Sequence, residues 1–194
     1  DTLLKEDRAN AVFWYRRGVI QLQHGDTNTA IASMQTAVQK EPMFMEPLLD
    51  IVSVYAARSD SNAITTTNKI IRIATDPRIK SQAKFIQGLY YSNINDKARA
   101  LASFDECIKN DYTFLDAYMN KGKILYDKKK YNDAVKVYRL ALNVQSTYAD
   151  AYFWMGKCQE ALGQKTDAKL NYERAYGLDK TLTEAKDAAD RIKN

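Results

Sequence analysis

Side-chain catalysis needs groups that can hold a proton, a metal or a covalent intermediate, and those groups must converge. This chain is poor in them. Its single histidine, His24, stands beside Gly25 in a turn signal, which makes it a turn residue before it makes it a general base or a ligand. With no second histidine and no Cys-x-x-Cys, no zinc-ligand spacing exists. The glycine patterns that cradle phosphates or dinucleotides, Gly-x-x-x-x-Gly-Lys and Gly-x-Gly-x-x-Gly, are absent as well. Adjacent acids such as Asp105 and Glu106 fall on the polar side of a predicted helix and read as a solvated face. The residues therefore point away from an enzyme, and they call for no cofactor and no metal.

Composition bounds what else the chain can be. A length of 194 residues with 45% hydrophobic and 27% charged residues suits a sizeable globular domain. The formal charge of +5 is shared between the two halves, and the longest basic run, Lys128 to Lys130, falls in a predicted turn. That distribution is not the footprint of a nucleic-acid binder. No apolar segment approaches the roughly 18 residues that suggest a membrane span. The start at Asp1 is consistent with a removed initiator, leader or anchor, and no compartment is assigned.

The elements that would position any site follow from a repeat. Gly88, Gly122 and Gly156 are spaced by 34 residues, and so are Ala100, Ala134 and Ala168. An aromatic recurs at Phe104, Tyr138 and Tyr172, and a small residue at Cys107, Ala141 and Ala175. The alanine neighbours of Cys107 mark it as a small packing residue. This pattern resembles the tetratricopeptide repeat, a helix–turn–helix unit of 34 residues. Numbering the glycine as position 8, Gly18 opens the register, with Trp14 at position 4, Ala30 at 20, Met34 at 24 and Pro42 at 32. The resemblance implies an all-α, right-handed solenoid of helical hairpins.

Five units are expected, at 11–44, 45–80, 81–114, 115–148 and 149–182, after an N-terminal lead-in over 1–10 and before a C-terminal capping helix over 183–194. Asn10 is placed to cap a helix starting at Ala11. The second unit departs from the pattern: Val52 replaces the glycine, Ala63 comes one residue early, and Thr65, Thr66 and Thr67 occupy its second helix. Gly25 and Gly163 mark internal turns. Glycine at position 8 and alanine at position 20 let the two backbones of a hairpin approach, and Ala185, Ala188, Ala189 and Ile192 give the last helix an apolar face that shields the end of the stack.

In the family, positions 2, 5, 9 and 12 of each first helix line a concave groove that takes peptides. Here position 5 reads Tyr15, Leu49, Phe85, Met119 and Phe153. Leu89, Lys123 and Lys157 stand at position 9 and Tyr126 at position 12, with the lysines available for a carboxylate or a carbonyl oxygen. The apolar ladder at position 5 is open to two readings: a ligand surface, or a core position covered by the next repeat. The lysine and asparagine set with which some family members clamp acidic chaperone tails has no counterpart in any frame of this chain. Two functions follow: a scaffold binding a partner peptide or protein segment in the groove, or an assembly module whose groove is filled by another copy or by its own tail, for which Leu3 and Leu4 are candidates.

Overall fold

The computed structural model describes residues 2–192 of the backbone, and side chains from residue 9 to residue 192. Every regular element among them is an α-helix: α1 Thr2–Gln23, α2 Thr27–Lys40, α3 Met45–Ala57, α4 Asn62–Ile73, α5 Pro77–Asn93, α6 Lys97–Asn110, α7 Leu115–Asp127, α8 Tyr131–Val144, α9 Ala149–Ala161, α10 Lys165–Leu178 and α11 Thr183–Arg191. None of the described helices is long and apolar enough to cross a membrane. The helices fall into two compact units, Asp1–Ser103 and Phe104–Asn194, with the division inside α6.

One local device makes the hairpins. The positive-φ residues among those described are Gly25, Ser59, Asn95, Lys129 and Gly163. All five stand at the same register position, the fifteenth, in the turn between the first and second helix of a hairpin. A left-handed residue there ends the first helix and lets the amide of the next residue reach back. The bond from Lys130 N to Leu125 O, 2.9 Å, has counterparts at Asp26, Asp60, Asp96 and Gln164. Between hairpins, Asp111 and Asp179 each accept a backbone N–H, from Thr113 and Thr181, in an Asx turn.

In the first unit, α1 starts well before Ala11, so Asn10 lies inside the helix and caps nothing. The backbone of Leu3 and Leu4 belongs to this helix, while their side chains lie outside the described residues. α5 also starts early, at Pro77: proline suits the first helical position, where no intrahelical N–H is needed, and the Asp76 side chain caps the helix by accepting from Arg78 N at 2.9 Å. That bond, with the Arg78 side chain beside it, holds the Asp76 carboxyl below the usual carboxylate range. The core here joins Leu48, Val52, Ala63, Ile70, Ala83 and Ile86. Val52, at the glycine position, is fully buried, and so is Ala63, which keeps the alanine column one residue early. Thr67 is also fully buried and donates back to Ala63 O, so the threonine run does not break α4.

In the second unit, α9 and α10 enclose Tyr172, and α11 lays Ala185, Ala188, Ala189 and Ile192 against it. The glycines mark close approaches. A methyl group on Gly156 would lie 3.2 Å from Ala168 O and 2.9 Å from the Tyr172 ring, and one on Gly122 would run into the Tyr138 ring. In the first unit, a methyl on Gly18 would likewise lie 3.1 Å from Ala30 O. Glycine at position 8 therefore makes room for the second helix's backbone and for its large side chain at position 24.

Candidate functional site

The stripe opposite the packing face is built by α1, α3 and α5 in the first unit. Tyr15 is half-buried; its hydroxyl donates to Asp50 Oδ2 at 3.0 Å, and its ring meets Phe44 edge-on at 5.2 Å. Burial, then the bond to Asp50, pushes the Tyr15 phenol up to about 12. Burial likewise raises the Asp50 carboxyl, against the lowering effect of the Tyr15 bond. Leu49 is half-buried against the core, and Phe85 and Leu89 are half-buried on α5. Between α1 and α3 lies a cleft of about 380 Å³, lined by Val19, Leu22, Asp50, Ser53, Val54 and Ala57 among others. Val19, Leu22 and Ser53 are residues of positions 9 and 12.

The stripe of the second unit sits deeper at position 5 and is charged at position 9. Met119 and Phe153 are 4% and 6% exposed, and Phe153 packs with Tyr172 and α11. Lys123 is exposed, and Tyr126 and Lys157 are half-buried. Trp154, at position 6, ties them together. The Nζ atoms of Lys123 and Lys157 lie 5.3 and 4.9 Å from its ring centroid, and Tyr126 meets it edge-on at 5.6 Å. The position-12 residue Glu160 accepts from Tyr172 Oη at 2.8 Å and from Arg191 Nη2 at 2.7 Å, while Lys157 approaches Glu184 Oε1 at 3.4 Å. These groups border a pocket of about 300 Å³ between α9 and α11. Burial, then the bond to Glu160, drives the Tyr172 phenol well above its ordinary range.

Two features escape a reading by columns. Trp154 is the platform of the second stripe, and its signal is a tryptophan one turn before Lys157. Asp50, also at position 6, is the polar partner in the first stripe. Cys107 and Cys158 are buried cysteines, and burial pushes the Cys158 thiol up to about 12. No group of three or more histidine, cysteine or acidic residues among those described could hold a metal ion.

Comparison with known proteins places this geometry among relatives. Models described as tetratricopeptide repeat match residues 81–114 and 150–177, and one described as TPR repeat matches residues 122–163. Tetratricopeptide repeat protein 1 of Schizosaccharomyces pombe is 24% identical over 198 residues, covering 92% of this chain but 18% of its own length. The chain thus spans less than a fifth of that relative. Among solved structures, MamA is similar with a TM-score of 0.69 at 19% identity, covering 90% of this chain and 94% of its own. YrrB, described as a TPR protein with an unusual peptide-binding site, is similar with a TM-score of 0.65 at 13% identity, covering 96% and 95%. The first TPR of Spaghetti (RPAP3), solved bound to an HSP90 peptide, is similar with a TM-score of 0.56 at 23% identity over 59% of this chain and 91% of its own. The shared property is the fold.

Proposed function

Because the chain belongs to the tetratricopeptide repeat family, we propose that it is a protein–protein interaction scaffold that receives a partner's peptide or protein segment along the stripes of its first helices. The observation that carries this is the cleft of about 380 Å³ between α1 and α3, whose walls are the stripe residues themselves. A stripe serving only as core would be filled there. Val19 and Leu22 give the cleft apolar walls, and Asp50 and Ser53 give it polar groups that orient a ligand, the composition usual for binding sites. YrrB and the RPAP3 repeat, described with a peptide-binding site and a bound peptide, support the same use of the fold. In each unit the ligand meets the stripe from its open side: Tyr15, Leu49, Phe85 and Leu89 in the first, and Lys123, Tyr126 and Lys157 over Met119 and Phe153 in the second. The role is to hold a partner, without catalysis.

The test is selection of a displayed random-peptide library on the full chain, followed by binding of the enriched peptides to stripe variants. Ser53 is exposed, so Ser53→Arg fills the cleft without touching the core. The expected result is a loss of about tenfold or more in affinity, as for a change at the centre of an interface, with the melting temperature unchanged. Enriched peptides that bind every folded stripe variant as well as the parent would refute the proposal. Light scattering separates the assembly reading, in which a second copy fills the stripe: a dimeric mass lost in Ser53→Arg would favour it.

A further inference from the structure

The second unit's stripe carries a charge arrangement that its fold does not require. Lys123 from α7 and Lys157 from α9 place their ammonium groups over one indole, that of Trp154. Each is attracted to the ring, but two like charges gathered on one ring repel one another. Among the described residues a single carboxylate answers them. It belongs to Glu184 of α11, 3.4 Å from Lys157, with its side chain 72% exposed. No carboxylate among the described residues pairs with Lys123, whose side chain is exposed. The result is two cations on an aromatic platform, one loosely held anion, and one cation open to solvent.

We propose that the Lys123, Trp154 and Lys157 cluster is a subsite for carboxylate side chains of an acidic partner segment, and that Glu184 occupies it as an internal carboxylate which the segment displaces. This rests on the partner-binding reading of the stripe and adds the chemistry of the ligand. The argument for a carboxylate is charge complementarity together with the molecule's own choice of anion: the group already drawn to Lys157 is a glutamate. Its exposure and its 3.4 Å distance make it easily exchanged, since exposed ion pairs contribute little. Lys123 offers the incoming segment a second contact that Glu184 leaves unused. The indole and Tyr126 give the stem of an acidic side chain an apolar surface beside the charges.

The experiment uses the full chain and two fluorescein-labelled peptides of equal length, one containing six glutamates and the other six glutamines. The glutamate peptide is expected to bind about tenfold tighter or more, and to weaken with added salt, because exposed charges are screened. Lys123→Glu should remove that preference at unchanged melting temperature. Lys109→Glu makes the same charge change on α6, away from the cluster, and should leave most of it. Glu184→Gln should tighten the glutamate peptide about two- to fivefold by removing the internal competitor. In an NMR titration the indole N–H of Trp154 should move and that of Trp14 should not. Equal affinity for the two peptides, no binding by either, or Lys109→Glu as damaging as Lys123→Glu would each overturn the proposal. If the preference is missing while library-selected peptides still lose binding in Ser53→Arg, the carboxylate assignment falls and the partner-binding reading stands. If selected peptides ignore every stripe variant, both fall.

Discussion

Replacing Gly122 by alanine sets two known effects against each other. Glycine in a helix interior costs about 0.8–1.0 kcal/mol relative to alanine, so the methyl group alone would stabilise α7. At this position, however, the methyl would fall inside the Tyr138 ring, against Cε1 and Cζ, with Oη at 2.7 Å. That ring is 0% exposed and stacked on Trp154 at 6.4 Å, so it has no open space to swing into. Overpacking of this kind costs about 1–3 kcal/mol, leaving Gly122→Ala destabilised by up to about 2 kcal/mol. Gly18→Ala is the internal control. Its methyl would meet Met34 Cγ at 2.7 Å and Cε at 3.3 Å, atoms of a flexible side chain, and Ala30 O at 3.1 Å, a backbone contact that needs only a small shift, so the overpacking is milder than at Gly122 and the two effects should nearly cancel. The chain has two tryptophans, Trp14 in the first unit and Trp154 in the second, so urea unfolding followed by fluorescence in Trp14→Phe or Trp154→Phe backgrounds reads each unit separately. With a urea dependence of about 1–3 kcal/mol/M, the Gly122 midpoint should fall by up to about 0.7–2 M and the Gly18 midpoint should barely move. A Gly122→Ala midpoint at or above its parent, or an equal drop in Gly18→Ala, would refute the reasoning.

Three further outcomes follow from single side chains. Tyr138 and Tyr172 share a register position, but the buried Tyr138 hydroxyl has no hydrogen-bond partner among the described residues and the Tyr172 hydroxyl donates to Glu160 at 2.8 Å. Tyr138→Phe should therefore be neutral or stabilising, while Tyr172→Phe should cost about 0.5–1.5 kcal/mol in urea unfolding. Lys129 holds φ at 58° where two other hairpins use glycine, so Lys129→Gly should raise the second unit's urea midpoint, by relief of about 1 kcal/mol of left-handed strain. Burial, then the bond to Asp50, raises the Tyr15 pKa from 10.0 to about 12, so the protonated phenol contributes stability that is full below pH 10 and lost as pH rises through about 12. The difference in stability between the parent and Tyr15→Phe should shrink over that window. Asp50 is raised too, so its contribution favours the fold at pH below its ordinary 3.8 and declines as pH rises through the folded value; Asp50→Asn, which keeps an acceptor for Tyr15, should match or exceed the parent at neutral pH.

The columns of the sequence carried the hairpins because they report close approach. Glycine at position 8 and alanine at position 20 are legible because only small residues fit where Ala30 O or Ala168 O comes within 3.2 Å of a methyl on the facing glycine. The turn column was legible only in part. Gly25 and Gly163 announce a left-handed residue and Asn95 is the next most tolerant type, whereas Ser59 and Lys129 adopt the same conformation without the residue type that advertises it. They were within reach once the register was numbered, since hairpins of equal length must turn at equal positions. The helix starts were less legible. α1 continues upstream through Asn10, which has no intrinsic bar to helix, and α5 is capped by Asp76 ahead of Pro77 instead of starting at Ser81.

The stripe shows what a period can and cannot say about a site. A spacing of 34 residues fixes the angle at which a side chain leaves its helix, but its depth depends on what is packed beside it. Phe153 is buried because Tyr172 and α11 close over it, and the apolar face of α11 is written some 30 residues later in the chain. Tyr15 has the same register position, but its hydroxyl must reach Asp50, so its ring stays half-buried. Trp154 was hidden for a different reason. It stands one position off the ladder, and it matters because Lys123, on another helix, reaches the same ring as its neighbour Lys157. A ladder of large residues at position 5 is therefore better suited to be the floor of a binding face than its contact edge. In the proposed scaffold, recognition would then fall to positions 9 and 12, where Val19, Ser53, Lys123 and Tyr126 still present accessible surface and where the chemistry differs from one hairpin to the next.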